Sequence, residues 1–154
     1  MLEWLESLPH AAVLRHSGTA YLFVNAAHIA SIGVLLGAIV ALDLRLLGVF
    51  PALPLASAGP FLSRMAAAGL VLAMLTGFWL FSVRPAEYAA NPAFLAKLGL
   101  LALGILNAAV LHRSRAWRRA LGEPRVPLTV RAQAAGSMLV WLSAILAGRW
   151  IGFL

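Results

Sequence analysis

The sequence predicts an all-α integral membrane protein, a four-helix up-down-up-down bundle preceded by a short N-terminal interfacial helix. Three observations carry this. Of the 154 residues, 62% are hydrophobic and 11% charged, and the mean hydropathy is +0.91, whereas soluble domains are nearer half apolar and a quarter charged. Four apolar runs, at approximately 20–43, 61–83, 94–112 and 132–153, each approach the roughly 20 residues that a lipid core demands of a helix. The connections between them are short, so residues 1–154 read as a single membrane domain.

Residues 1–19 set Trp4, Leu5, Leu8, Val13 and Leu14 among polar positions. That pattern suits a short helix at the outer interface, broken at Pro9 and placed to lid the outer mouth. The acidic start, Met1-Leu2-Glu3-Trp4-Leu5-Glu6, is unlike a basic secretory signal, so the first span is expected to be retained. Span 1 holds Asn25 and His28, ends at Asp43-Leu44-Arg45, and carries Gly33 and Gly37 on one helix face, a spacing that permits close approach of another helix. Pro51, Pro54, Gly59 and Pro60 make the next connection a stiff turn before span 2. Pro85, Asn91 and Pro92 frame the outer loop between spans 2 and 3, while Gly122, Pro124 and Pro127 punctuate the loop before span 4. Tyr21, Trp79, Tyr88, Trp117, Trp150 and Phe153 fall near the predicted interfaces, as aromatic belts do.

The formal charge is +7, yet it marks topology rather than nucleic acid. Arg45, Arg64, Arg113, Arg115, Arg118, Arg119, Arg125 and Arg131 all fall on the side reached after span 1. The positive-inside rule therefore places the 43–60 and 112–131 loops in the cytoplasm and both termini outside, in a bacterial inner membrane. The Arg113–Arg119 run suits anionic lipid headgroups; with Trp117 its one aromatic and no recognition motif, nucleic acid is not an expected partner. The lipid bilayer is the expected partner, with a second copy or a redox subunit beside it. The absence of cysteine excludes disulfides, thiolate metal sites and iron–sulfur clusters.

An ionisable residue inside a span marks a candidate site. His28 lies roughly 6 Å outward of the middle of span 1, where it suits a haem ligand, a quinone contact, a proton relay or an interhelical hydrogen bond. His112 lies roughly 20 Å away along the membrane normal and His16 about 18 Å above, so neither shares an iron with His28. His10 approaches only if the N-terminal segment folds back. Met74 has nearly the depth of His28, within roughly 3 Å, which makes it the candidate second axial ligand of a haem b; packing is its alternative role. Lys97 and Arg149, inside the outer ends of their spans, and Arg84, just beyond a third, form a candidate cationic cluster for haem propionates or a quinone oxygen, or else snorkel to the interface. Asp43 is expected to pair with one of the nearby arginines, Asn107 to hydrogen-bond between helices and Trp141 to pack.

No P-loop, GxGxxG, nucleophile elbow, HExxH or pair of carboxylates at catalytic spacing is present, and no catalytic residue is assigned. The expected function is a membrane electron-transfer subunit that binds haem b, a quinone or both at an outer-half site around His28, with Met74, Lys97, Arg149 and Arg84 as further cofactor-binding residues and His28 as the iron ligand. A non-enzymatic scaffold or accessory subunit, and a small-solute or metal-ion permease component, are the alternatives.

The run His28-Ile29-Ala30-Ser31-Ile32-Gly33, followed by Asp43-Leu44-Arg45-Leu46-Leu47-Gly48, resembles the opening of a family of small bacterial four-helix membrane proteins of unknown function. Asn91-Pro92-Ala93-Phe94-Leu95-Ala96-Lys97 and Gly148-Arg149-Trp150-Ile151 resemble its later blocks. A histidine on an outer-half span gives a looser similarity to copper-resistance D-type and cytochrome b561-like proteins. Two histidines at matched depth on neighbouring spans, the b561-like pattern, are missing here.

Overall fold

A computed structural model describes residues 3–123 and 125–153. Pro124 of the loop before span 4, and Met1 and Leu2 of the acidic start, lie outside the described residues. The regular elements are helical, and four of them are long and apolar enough to cross a membrane. The chain runs through α1 (Glu3–Glu6), α2 (Pro9–His16), α3 (Gly18–Leu47), α4 (Leu55–Phe81), α5 (Pro85–Ala90), α6 (Pro92–Arg113), α7 (Arg115–Gly122) and α8 (Leu128–Trp150). A 3-10 turn (Ile151–Phe153) follows α8. The molecule is thus more than a four-helix bundle, because two segments read as loops are themselves helical.

Capping explains where these helices begin. Ser17 accepts from the Ala20 amide at 3.2 Å to start α3. Asn91 accepts from Ala93 and Phe94 at 2.9 and 3.2 Å to start α6, with Pro92 at the first helical position, where its missing N–H costs nothing. The N-terminal helix is broken at Pro9 as expected, α1 ending at Glu6 and Pro9 opening α2. Ser114 accepts from Trp117 at 3.0 Å and so converts the arginine run into α7. Gly48, at φ +97°, ends α3; its amide bonds Arg45 O, and that of Val49 bonds Leu44 O, the paired closure that a left-handed residue permits. α4 starts at Leu55, ahead of the predicted 61, and takes Pro60 into its second turn, so the lost proline donor leaves one carbonyl near the helix start unpaired.

α4, α3, α8 and α6 pack in that order, and α4 and α6 are joined mainly near their ends. Phe81 stacks on Phe94 at 5.4 Å at the end that carries α2 and the 3-10 turn, here the terminal end. Ser63 Oγ meets His112 Nε2 at 2.8 Å at the other, here the basic end. Glycines set the tight crossings. A Cβ at Gly69 would lie 2.6 Å from the Leu35 backbone nitrogen, and one at Gly104 would lie 2.8 Å from the Trp141 ring. Gly33 and Gly37 instead have open space beside them, so their spacing serves no contact within the molecule.

The apolar core sits at the basic end, where Leu42, Leu46, Leu55, Leu111, Trp117, Ala120, Val130 and Ala134 cluster. Trp117 is therefore a buried plug rather than a belt residue. Its partner glycine is Gly59, where a Cβ would come 3.1 Å from the indole. Elsewhere the long helices turn large apolar side chains outward, among them Phe23, Ile29, Leu75, Leu106 and Leu146, the surface expected of a protein solvated by lipid.

Candidate functional site

Each of the four long helices contributes to the surroundings of His28. From α4, Thr76 Oγ1 lies 2.9 Å from His28 Nδ1. The Thr76 hydroxyl reaches Leu72 O at 2.7 Å and Ala73 O at 3.3 Å, and with its hydrogen so directed the fitting tautomer has Nδ1–H donating to Thr76 Oγ1 and the lone pair on Nε2. The Ala73 carbonyl is a further backbone partner of the ring, and among the described residues no side chain bonds Nε2. Gly77 makes room for the ring, since a Cβ there would lie 3.0 Å from His28 Cε1. Neither Thr76 nor Gly77 was anticipated from sequence; the available signal was a polar residue inside span 2 at about the depth of His28.

α6 brings Lys97 near enough to act electrostatically on the imidazole, and the lysine stem crosses Gly148 of α8, where a Cβ would meet it at 3.5 Å. No carboxylate pairs with Lys97 among the described residues. The other two cations of the predicted cluster have partners of their own. Arg149 stacks over Phe153 at 4.7 Å, and Arg84 forms an exposed pair with Glu87 at 3.4 Å. Met74 is 57% exposed and stands two residues from Thr76, roughly 200° around α4. It shares the depth of His28 but faces outward, away from the imidazole.

At the terminal end, α2 folds over the bundle, tied by Trp79 Nε1 donating to His10 O at 3.0 Å. A cavity of about 1060 Å³ opens beside it, lined by Leu14, Tyr21, Arg84, Glu87, Tyr88 and Asn91 among others. Burial, with the Tyr21 phenol nearby, pushes the Tyr88 phenol above its usual range. His10 packs edge-on against Trp79 at 6.2 Å, so the fold-back of this segment serves the lid.

At the basic end, Asp43 is 3% exposed and makes no ion pair among the described residues, contrary to the expected arginine partner. The reason is geometric. Arg45 donates to Leu53 O, and Arg131 to Leu47 O at 3.3 Å, so both guanidiniums serve the backbone of the α3–α4 connection. His112 stays at this end, with its ring 4.9 Å from Trp117. Asn107 Nδ2 donates across helices to Gln133 O at 3.2 Å. Among the described residues no three histidines, aspartates or glutamates converge as a metal group.

No curated protein and no solved structure matches the chain. Its whole length, residues 1–154, matches one family model, and the protein belongs to that family of unknown function, DUF6644.

Proposed function

We propose that this protein is a multi-pass protein of a bacterial inner membrane, its long helices running up-down-up-down with both termini outside, and that it is an electron-transfer subunit binding a quinone at the outer-half site around His28. One observation carries the reading: the His28 ring, bonded to Thr76 through Nδ1, lies within reach of the field of Lys97, which has no carboxylate partner among the described residues, inside a membrane-spanning segment. Nε2 accepts the hydroxyl hydrogen of a quinol, and Lys97 favours the negative charge that develops on its oxygen. Because α4 and α6 are joined mainly at their ends, a lipophilic ligand has a lateral approach from the bilayer. Oxidation of the quinol would release two protons, the first to Nε2 and the second to water at the terminal end, and two electrons to a one-electron redox centre, such as a haem, of a partner subunit.

Haem b at the same site would take Nε2 as one axial ligand, with the other from a second copy or a partner, since Met74 faces outward. The similarity to copper-resistance D-type and cytochrome b561-like proteins rests on His28 alone and adds no second ligand. The scaffold alternative is favoured by the His28–Thr76 bond, which ties α3 to α4 without any ligand.

Titration of the purified protein with a short-chain quinone separates these readings. The expected result is saturable quenching of tryptophan fluorescence, with affinity about tenfold weaker in Lys97→Met and in His28→Leu, as the loss of a charge-assisted interaction gives. Quenching that rises linearly with concentration and is identical in the variants overturns the quinone assignment in favour of the scaffold. A Soret band in protein made with haem available, lost in His28→Ala, assigns the site to haem instead.

A further inference from the structure

Asp43 takes no part in the outer-half site, and its setting is chemically distinctive. It is the only aspartate in the chain and is 3% exposed. Its Oδ2 is buried without a hydrogen-bond partner among the described residues. Its helix neighbours Leu42 and Leu46 belong to the apolar core. Ser137 of α8 is the polar side chain that reaches the carboxyl, and it too is buried.

The charged and titratable groups nearby on the packed elements are engaged elsewhere. Arg45 bonds Leu53 O, Arg131 of α8 bonds Leu47 O, and His112 of α6 is held by Ala108 O and Ser63. Arg64 of α4 and Arg118 and Arg119 of α7 are exposed. A carboxylate buried without a cation or a full set of donors is costly, and binding a proton removes that cost.

We propose that Asp43 is a proton-binding site that exchanges with the basic end of the bundle. Two features make it an exchange site rather than a fixed acid. The carboxyl lies four residues before the end of α3, roughly 6 Å from it, so the path to water is about one helical turn. Arg131 reaches the carbonyl of Leu47, which stands one turn beyond Asp43 on the same face of α3. When the proton leaves, that guanidinium is placed to neutralise the carboxylate by giving up a carbonyl bond. A proton fits better than a metal cation, because no second carboxylate or histidine joins Asp43 in a metal group among the described residues.

Infrared spectroscopy of the full chain carrying carboxyl-13C aspartate tests this, with Asp43→Asn as the blank. The expected spectrum has an isotope-shifted carboxylic C=O band at low pH that gives way to a carboxylate band as pH rises; both are absent from the blank. If the asparagine variant fails to fold, Asp43→Glu grown with labelled glutamate is compared with the unsubstituted chain grown the same way, and the difference between them, beyond the bands of the four native glutamates, is the expected titrating band. A carboxylate band at every pH, or an acid band that never titrates, overturns the proposal. Loss of the acid band on adding sodium at constant pH also overturns it, in favour of a metal cation. None of these outcomes depends on quinone binding.

Discussion

Gly77 and Gly69 lie about two turns apart on α4, and each lets α3 approach for a different reason. At Gly69 a methyl would meet backbone, at 2.6 Å from Leu35 N and 3.0 Å from Ser31 O, and backbone has no rotamer by which to yield. Gly69→Ala is therefore expected to force the helices apart and destabilise the fold by about 2 kcal/mol, read as a lower midpoint in detergent unfolding. At Gly77 the neighbour is the His28 ring, at 3.0 Å, which can shift by a few tenths of an ångström, so Gly77→Ala should perturb ligand affinity more than stability. Thr76→Val tests the tautomer. It keeps the shape but removes the acceptor of Nδ1–H, and quinone affinity should fall about fivefold, the equivalent of a hydrogen bond of about 1 kcal/mol. Unchanged affinity in Thr76→Val would mean that the orientation of the ring does not matter to the site. His28 was legible in the sequence because an ionisable side chain in a lipid span stands out in composition alone. Thr76 was not, since a threonine in an apolar helix usually satisfies its hydroxyl on its own backbone, as this one also does on Leu72 O.

The helix ends and the two glycine motifs separate what local chemistry decides from what packing decides. Gly48 closes α3 in a left-handed conformation at φ +97°, so Gly48→Ala should cost about 1 kcal/mol, measurable in the same unfolding assay. Gly33 and Gly37 have nothing beside them. Replacing both with alanine should leave the stability of the isolated molecule unchanged or slightly raised, because alanine is the better helix former; a clear loss would show that they pack against another copy. α7 is the element that the sequence hid most effectively. Its arginines read as a charged loop, yet the Ser114 cap and the three-residue spacing of Trp117 and Ala120 lay one buried stripe along it, with Arg118 and Arg119 exposed. Pro85 misled in the same way, because a proline that would break a helix interior is at home in the first turn of α5.

At the scale of the molecule the charges are divided between two ends, and that division predicts orientation. The chain has no cysteine, so single cysteines report without background. One at Arg118 should be shielded from impermeant thiol reagents in intact cells, and one at Glu87, on the α5 side, should react. Labelling at Arg118 but not at Glu87 reverses the orientation and moves the His28 site to the cytoplasmic half. The asymmetry extends to packing. The buried cluster lies at the basic end under α7, whereas the terminal end holds a cavity of about 1060 Å³ beneath the α2 lid. The more closely packed end thus carries the buried acid, and the more open end lies nearer His28.

Length and hydropathy by themselves determined the four long apolar helices and hence the membrane-like class, the ends at which the basic residues gather and the height of each polar residue along its helix. These are one-dimensional properties, imposed by bilayer thickness and by the rise of a helix. Facing is not one of them. Met74 has the right depth for His28 but the wrong azimuth, Arg149 lies over Phe153 and Arg84 pairs with Glu87, and Asp43 loses its expected arginines Arg45 and Arg131 to backbone carbonyls. Only the tertiary structure decided those matters, because the rotation of each helix about its axis is set by which glycines admit a neighbour and which side chains fill the space between, and both depend on residues far apart in the chain.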